Sequence, residues 1–378
     1  MKRRNVIAMI SPVSAPRVAG IAKYAKEHEW NLLIMDRLGY HPTAWKGDGV
    51  LATIRSDATS LKQIEKFIAR GIPVVDLTLS RPEVKVPRVM SDHSEIGRLA
   101  ARYFIERRYR NFAWFSTSWG NVHRLRYDAF AAECPTRPLR LVCDEALKRE
   151  KASEWNDVVK WLGGEFAKRE LPLAVVTYDE TDAARLLYAA KELGLKVPEE
   201  LSILSIGNDP IICENQETPL SSIDQDLFRG GYEAAATLDR LMSGRGRPSK
   251  RGAVTLVPPI GVVERRSTQA VAIADPFVRK AVEFIGSHLA EPIGSPQIAE
   301  AIGIGRKRLD ELFRTEFQHS LAEEIRSIRF ARVKRLLRTT DRPIGDIARE
   351  CGFCTPSHLT NAFRDAFGLT PKAWRSGE

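Results

Sequence analysis

The sequence predicts a chain of two unlike parts. An α/β region of two lobes with doubly wound parallel sheets runs over residues 1–268, and an all-α unit with two tandem helix-turn-helix motifs follows over 275–378. Three observations carry this expectation. Short apolar runs alternate with amphipathic helical stretches as far as about Arg265, a cap–helix–glycine–helix pattern occurs twice near 295–317 and 343–367, and a basic helix joins the two copies. At 378 residues the chain exceeds one ordinary core, so two or three domains are expected.

The strand signals are VIAMI at 6–10, NLLIM at 31–35, GVLAT at 49–53, PVVDL at 73–77, FAWFS at 112–116, LAVVT at 173–177 and LSILSI at 201–206. Runs apolar at every position fit strands buried on both faces. Helices are expected to begin near Pro16, Asp57, Ser94, Val122, Ala152, Asp179 and Leu227. Strand followed by helix, repeated, implies parallel sheets with right-handed crossovers, and such folds bind small molecules beyond the carboxyl ends of their strands. Ser243–Arg251 is the most linker-like segment, but VTLVP and IGVVERRS read as strands beyond it, so it is taken as an exposed loop and the domain boundary is placed near 266–275.

In the second helix-turn-helix, Ile344, Ile347, Ala348 and Cys351 share one helix face and Gly352 supplies a left-handed turn. Thr355 then caps a second helix with Pro356 at its first position; Leu359, Ala362, Phe363 and Phe367 form its apolar stripe, and Gly368 ends it. Ser357, His358, Thr360, Asn361 and Arg364 lie on the other face, and small polar groups, an amide and a guanidinium there suit base edges in a major groove. Upstream, Ser295-Pro296 is expected to cap and start a helix carrying Ile298, Ala299 and Ile302, with Gly303 at the turn. Leu309, Leu312, Phe313 and Phe317 give its partner helix a core stripe, leaving Arg306, Lys307, Asp310, Glu311 and Arg314 exposed. A helix over Ala322–Leu337 joins the two, and paired readers on it are expected to enter successive major grooves of double-stranded DNA.

Net charge is +10, of which residues 275–378 contribute only +3, from 17 Lys and Arg against 14 Asp and Glu. The basic excess is local: Arg326–Arg342 holds seven bases against Asp341, a stripe expected either to follow phosphates or to be a solvated face. The amino terminus has a basic start before an apolar run, but Val6–Ile10 is too short for a secretory segment. No stretch approaches the roughly 20 apolar residues a bilayer span needs, so a soluble, cytoplasmic protein is expected. Five cysteines without framework spacing, Cys134, Cys143, Cys213, Cys351 and Cys354, suit a reducing compartment. Cys351 and Cys354 form a CxxC pair, but Cys351 belongs to an apolar stripe and only His358 lies close enough to add a zinc ligand. An enzyme is the competing class. The chain has no P-loop, no GxGxxG after its first strand, no HExxH and no GxSxG, its seven histidines show no metal spacing, and His93 beside Asp92 reads as a surface histidine at a helix start.

The stretches RVAGIAKYAKEHEW (17–30), SDHSEIGRLAARYFIERRYRNFAWF (91–115), YDETDAARLLYAAKELGLKVPEELSILSIGND (178–209) and PLSSID (219–224) resemble the LacI-type, periplasmic-binding-protein-like sensor domain. GF followed by PSHLTNAFRDAFGLTPKAWR, within 275–375, resembles the DNA-binding domain of the AraC/XylS family. The pairing is similar to that family's xylose-operon regulators. It implies a transcription regulator without a cofactor, most readily an activator, with an aldopentose, xylose first, bound between the lobes. A homodimer and contact with RNA polymerase are implied as well. A sugar needs planar groups for adjacent hydroxyls and an aromatic face for its C–H side. The candidates are Asp92, Asp179, Asn208 and Asp209 at strand ends, Arg126 where the family places an arginine in the second lobe's first helix, and Trp45 and Trp119 for stacking. Asp92 and Asp179 also read as helix caps. The sequence departs from the pattern at Ser205 and Gly207, where glycine and aspartate are usual, and at Tyr178, where asparagine is. Gly305 replaces a capping serine and Glu311 a common arginine, so a different operator is expected.

Overall fold

The computed structural model describes residues 3–10, 14–35, 45–54, 58–150, 154–244, 253–269, 275–291, 293–340 and 342–376. They form two compact units, 1–272 and 273–378. The tip of the Ser243–Arg251 loop and residues 270–274 of the expected boundary lie outside the described residues.

The first unit runs β1 (Asn5–Met9), α1 (Ala15–Glu27), β2 (Asn31–Met35), β3 (Gly49–Ala52), α2 (Ala58–Ala69), β4 (Val74–Asp76) and β5 (Arg88–Ser91). It continues with α3 (His93–Glu106), β6 (Asn111–Ser116), α4 (Asn121–Glu133), β7 (Leu139–Val142), α5 (Cys143–Glu150), α6 (Trp155–Phe166), β8 (Leu173–Thr177) and α7 (Glu180–Glu192). Then come β9 (Leu201–Ile206), α8 (Pro210–Cys213), β10 (Ser221–Asp224), α9 (Leu227–Met242), β11 (Val254–Val257) and β12 (Gly261–Val263). Two six-stranded sheets result, ordered β11-β5-β4-β3-β1-β2 and β12-β10-β9-β8-β6-β7. Every pairing is parallel except β12 on β10. The chain crosses between lobes after β5, after β10 and after β11, so helix α9 returns to pack on the first lobe against α1.

Fully buried runs explain the inner strands: β3, β8 and β9 have no exposed residue, and Ile7, Leu51 and Val75 in one lobe and Trp114, Phe115, Val175 and Ile203 in the other have no measurable exposure, whereas the edge strand β2, though apolar throughout, keeps Leu33 and Ile34 exposed. β7, β10, α5 and α8 were not expected, and of β5 only its end, before Asp92, was. In β5, a charged residue sits inside the sheet: Arg88 donates from Nε to Asp76 Oδ2 at 2.9 Å and from Nη2 to the carbonyls of Arg81 and Val84 at 2.6 and 2.7 Å. Three acceptors for one guanidinium make that burial tolerable. The edge strand β7 alternates exposure and holds Arg140, so no apolar run announces it.

The second unit contains α10 (Pro276–Ser287), α11 (Ser295–Ile302), α12 (Arg306–Phe317), α13 (Leu321–Thr339), α14 (Ile344–Glu350), α15 (Pro356–Phe367) and α16 (Pro371–Ser376). Gly303, Gly352 and Gly368 have φ of 78°, 74° and 74°, the left-handed turns expected of them. Thr355 Oγ1 accepts from His358 N at 3.0 Å, capping α15. Upstream the cap falls one residue earlier than expected: Gly294 is the cap, its N–H donating to Gln297 Oε1 at 3.1 Å, while Ser295 is the first helical residue and its hydroxyl faces Asp310 at 3.5 Å. The joining helix α13 starts with a capping box between Ser320 and Glu323, and its Phe330, Val333 and Leu337 pack with Ile347, Leu359 and Phe363 of the second motif. Among the described residues no helix is long and apolar enough to cross a membrane.

Candidate effector crevice and DNA-reading helices

In the first unit, the carboxyl ends of both sheets meet where the chain crosses between lobes, and a cluster around Arg126 occupies that place. Arg126, on α4, is 4% exposed. It donates from Nε to His93 Nδ1 at 3.3 Å, from Nη1 to the carbonyl of Tyr178 at 2.8 Å and from Nη2 to Gln225 Oε1 at 2.7 Å. His93 lies just beyond β5 and Gln225 just beyond β10, so one guanidinium ties together both helix-bearing crossovers and the end of β8. Asn121 Nδ2 adds a bond across the lobes to the carbonyl of Leu79 at 3.4 Å.

The departure at 178 builds an aromatic stack. The Arg126 guanidinium lies 4.9 Å from the Tyr178 ring centre, and His123 stacks on the same ring at 3.7 Å and 14°. Burial pushes His123 down to about 4, and burial, then the charges of Arg126 and Arg17, holds His93 well below the usual histidine range. Both rings are therefore neutral at physiological pH. Since His93 Nδ1 accepts from Arg126, its proton resides on Nε2. His93 is thus a buried member of this cluster and not the surface histidine expected from the sequence.

The strand-end candidates are brought to the same end of the unit but already have work. Asp92 accepts from Glu95 N at 2.9 Å, Asp179 from Asp182 N at 2.8 Å and Asp209 from Ile211 N at 2.9 Å, each capping a helix. Asn208, at φ 64°, donates from Nδ2 to Asp224 Oδ2 at 3.1 Å and accepts from Arg265 Nη2 at 3.1 Å. Glu180 was not anticipated. Its carboxylate lies over Gly207, where a Cβ would come within 2.1 Å of Oε1, and it accepts from Asp209 N at 2.7 Å. With φ at 138°, position 207 admits little but glycine, and an acid from α7 fills the space an aspartate there would claim. Burial raises the Glu180 pKa. Trp119 is near the cluster, 6.0 Å from the His123 ring, but under Arg140 at 4.6 Å. Trp45 is elsewhere: it sits half-buried with Asn5, Trp30 and Asn31 at the amino ends of β1 and β2 and packs on Phe67, away from the crevice.

Arg17, on α1 of the first lobe, was also missed. It is half-buried, with its charge coupled to those of Tyr178, Arg126 and Asp76, and burial lowers its pKa. No feature of local sequence separates it from a surface arginine on an amphipathic helix.

In the second unit the two reading faces are exposed as expected. On α15, Ser357, His358, Asn361 and Arg364 are exposed and Thr360 is half-buried, its hydroxyl donating back to the carbonyl of Pro356 at 2.9 Å. Arg364 Nη2 reaches Asn361 Oδ1 at 3.4 Å, so the pair is loosely held. On α12, Arg306, Lys307, Glu311 and Arg314 are exposed, whereas Asp310 is half-buried between Ser295 and Arg306, the latter at 3.9 Å. Arg308 pairs with Glu311 at 3.8 Å. Among the described side chains of the basic run on and after α13, Arg329 donates to the carbonyl of Glu291 at 3.0 Å, Arg332 and Arg342 both pair with Glu350, and Lys334 lies 3.7 Å from the Phe367 ring centre. Arg326 is exposed. Cys351 is buried in the motif's core and Cys354 is exposed; neither is in a disulfide, and among the described residues no group of three or more His, Cys, Asp or Glu is placed to hold a metal ion.

A two-lobed α/β unit followed by paired reading helices defines a sensor joined to a DNA-binding module. Comparison agrees: a model described as periplasmic binding protein-like domain matches residues 101–268, and a helix-turn-helix domain model matches 298–377. Regulatory protein SoxS of Salmonella typhimurium is 33% identical over 99 residues, covering 26% of this chain and 92% of SoxS. The chain belongs to the AraC/XylS family of DNA-binding transcription regulators, in the form that carries a periplasmic-binding-protein-like sensor. The xylose operon regulatory protein of Escherichia coli is 26% identical over 376 residues, covering 95% of this chain and 92% of that protein. A solved structure of the xylose-binding transcription activator xylR matches with a TM-score of 0.61 at 24% identity, covering 100% of this chain and 99% of that one. These relatives are regulators and not enzymes, and the chain is a regulator with them.

Proposed function

We propose that this regulator responds to a small sugar held in the crevice around Arg126, with xylose and related pentoses as the first candidates, and activates genes for using it. The alignment with a xylose operon regulatory protein over 95% of the chain, sensor and reader in the same order, carries this reading. The pocket set is Asp92, Arg126, Asp179, Asn208 and Asp209, to which Glu180 and His93 are added here. The DNA set is Arg306, Lys307, Asp310, Glu311 and Arg314 on one helix and Ser357, His358, Thr360, Asn361 and Arg364 on the other. A homodimer places paired readers on two half-sites in the cytoplasm, next to RNA polymerase. Ligand control requires that the sugar bind one arrangement of the lobes more tightly than the other.

The test is selection of bound fragments from a genomic library with the full-length protein, followed by footprinting with and without D-xylose and other small sugars. A defined footprint over two half-sites whose occupancy changes by roughly tenfold with a sugar is expected. Salt-sensitive coverage of every fragment, indifferent to all sugars, rejects the reading.

A further inference from the structure

Resting on the DNA-reading part of that proposal, we infer that Arg329 is a positioning residue that locks the two helix-turn-helix motifs at one spacing, so that the operator is read by the distance between two blocks of base pairs as well as by their sequence. The buried core of the second motif is drawn from α13, α14, α15, α16 and the turn between α14 and α15, with no member from α10, α11 or α12 among the described residues. Two motifs that share one helix can each rock about it unless a further contact ties them. Arg329 makes that contact. From α13 its Nη2 donates to the carbonyl of Glu291, in the α10–α11 connection, at 3.0 Å. The same guanidinium lies against Gly352 in the turn of the second motif, where a Cβ would come 2.7 Å from Nη2, 2.8 Å from Cζ and 2.0 Å from the carbonyl oxygen of Leu289. One side chain is thus held between the connection leading into the first motif and the turn of the second, and the bare glycine lets the three segments touch.

Stability alone does not explain a guanidinium at this place. Arg332, nearly one turn further along α13, is matched by Glu350, but among the described residues Arg329 makes no ion pair and its buried Nε has no hydrogen-bond partner. Burying part of a charge against carbonyls costs free energy, and an apolar side chain of similar length would pack as well or better. A guanidinium supplies what such a chain cannot, a planar donor aimed at one carbonyl. The geometry matters on DNA because each base pair inserted between two contact blocks turns one groove by about 35° relative to the other. Motifs held by Arg329 must then leave one block unread, whereas motifs released from it can follow the groove.

The experiment measures binding of the full-length protein to duplexes that carry one half-site from the genomic selection. Base-by-base substitution locates the two contact blocks, and zero, one or two base pairs are then inserted between them. Wild-type protein should lose roughly tenfold or more in affinity with two insertions. Arg329→Met should melt no lower than wild type, yet lose less than about threefold across the same series. Arg329→Lys, which keeps a donor for Glu291, should fall between them. With the block read by α12 scrambled, wild type and Arg329→Met should bind equally, since the second reader itself is unchanged. Three results overturn the inference and leave the DNA-reading proposal intact. One is an insertion penalty equal in Arg329→Met and wild type, including the uniform weakening on every duplex that marks a phosphate contact. Another is a large fall in melting temperature in Arg329→Met, which makes Arg329 a packing residue. The third, independent of any variant, is wild-type protein that tolerates the insertions. No sequence-specific binding to any selected fragment overturns both.

Discussion

The two helix-turn-helix motifs share a plan and differ in how firmly it is held. The second has a side-chain cap at Thr355 on α15, though none on α14, a turn glycine pressed against Leu289 just beyond α10, and a joining helix whose Arg329 also reaches the α10–α11 connection. The first uses glycine at both cap positions, Gly294 and Gly305, with no cap side chain to accept from the first turn, although Gln297 Oε1 accepts from Gly294 N, and its outer face is partly self-neutralised by Arg306–Asp310 and Arg308–Glu311. A face held only by a long Arg364–Asn361 bond reads bases better than one whose charges already pair with opposite charges, because desolvation costs less on binding. The second motif should therefore set operator sequence more strictly than the first.

The strongest way to break this contrast is Gly352→Ala. A Cβ there would lie 2.0 Å from the carbonyl oxygen of Leu289 on a residue with φ 74°, so a loss of about 3 kcal/mol in the stability of the DNA-binding unit is expected. Calorimetric unfolding would read it, and an unchanged melting temperature would show the turn is not pinned. Next come Asn361→Ala and Arg364→Ala, which should each weaken operator binding by about 1 to 3 kcal/mol and relax specificity at one base pair, with no change in melting. Glu311→Ala on the other motif should instead tighten binding to unrelated duplexes a few-fold by removing an acid from the phosphate side. Gel shifts with matched and scrambled duplexes compare the two directly, and equal losses at both motifs would erase the distinction. The smallest effects concern caps: Thr355→Ala should cost about 1 kcal/mol, whereas Gly305→Ser should gain only a few tenths.

Much of this was legible in sequence because local chemistry decided it. NLLIM, LAVVT and LSILSI became β2, β8 and β9 with the bounds read from their apolar runs, and Thr355, Gly352 and Gly368 took the cap and turns their residue types prefer. The start of β5 was hidden because its Arg88 needs Asp76, twelve residues earlier, to be buried at all. The crevice was half legible. Strand-end aspartates stand out in sequence, but their capping bonds show that prominence reflects helix starts as much as binding. Arg17, His93, His123 and Glu180 gain their roles from segments up to a hundred residues or more away, through crossovers that no local pattern encodes.

Arg265 gives the crevice a mechanical outlet. Its guanidinium donates to Asn208 Oδ1, to Glu214 Oε1 at 3.1 Å and to the carbonyl of Leu220 at 3.0 Å, and its own N–H donates to Ser221 Oγ at 2.7 Å. Two residues later Ser267 and Thr268 are sealed with no exposure. The tip of β9 and the turn at 265–268 are thus riveted together, so displacement of one by a guest must drag the other or snap that rivet.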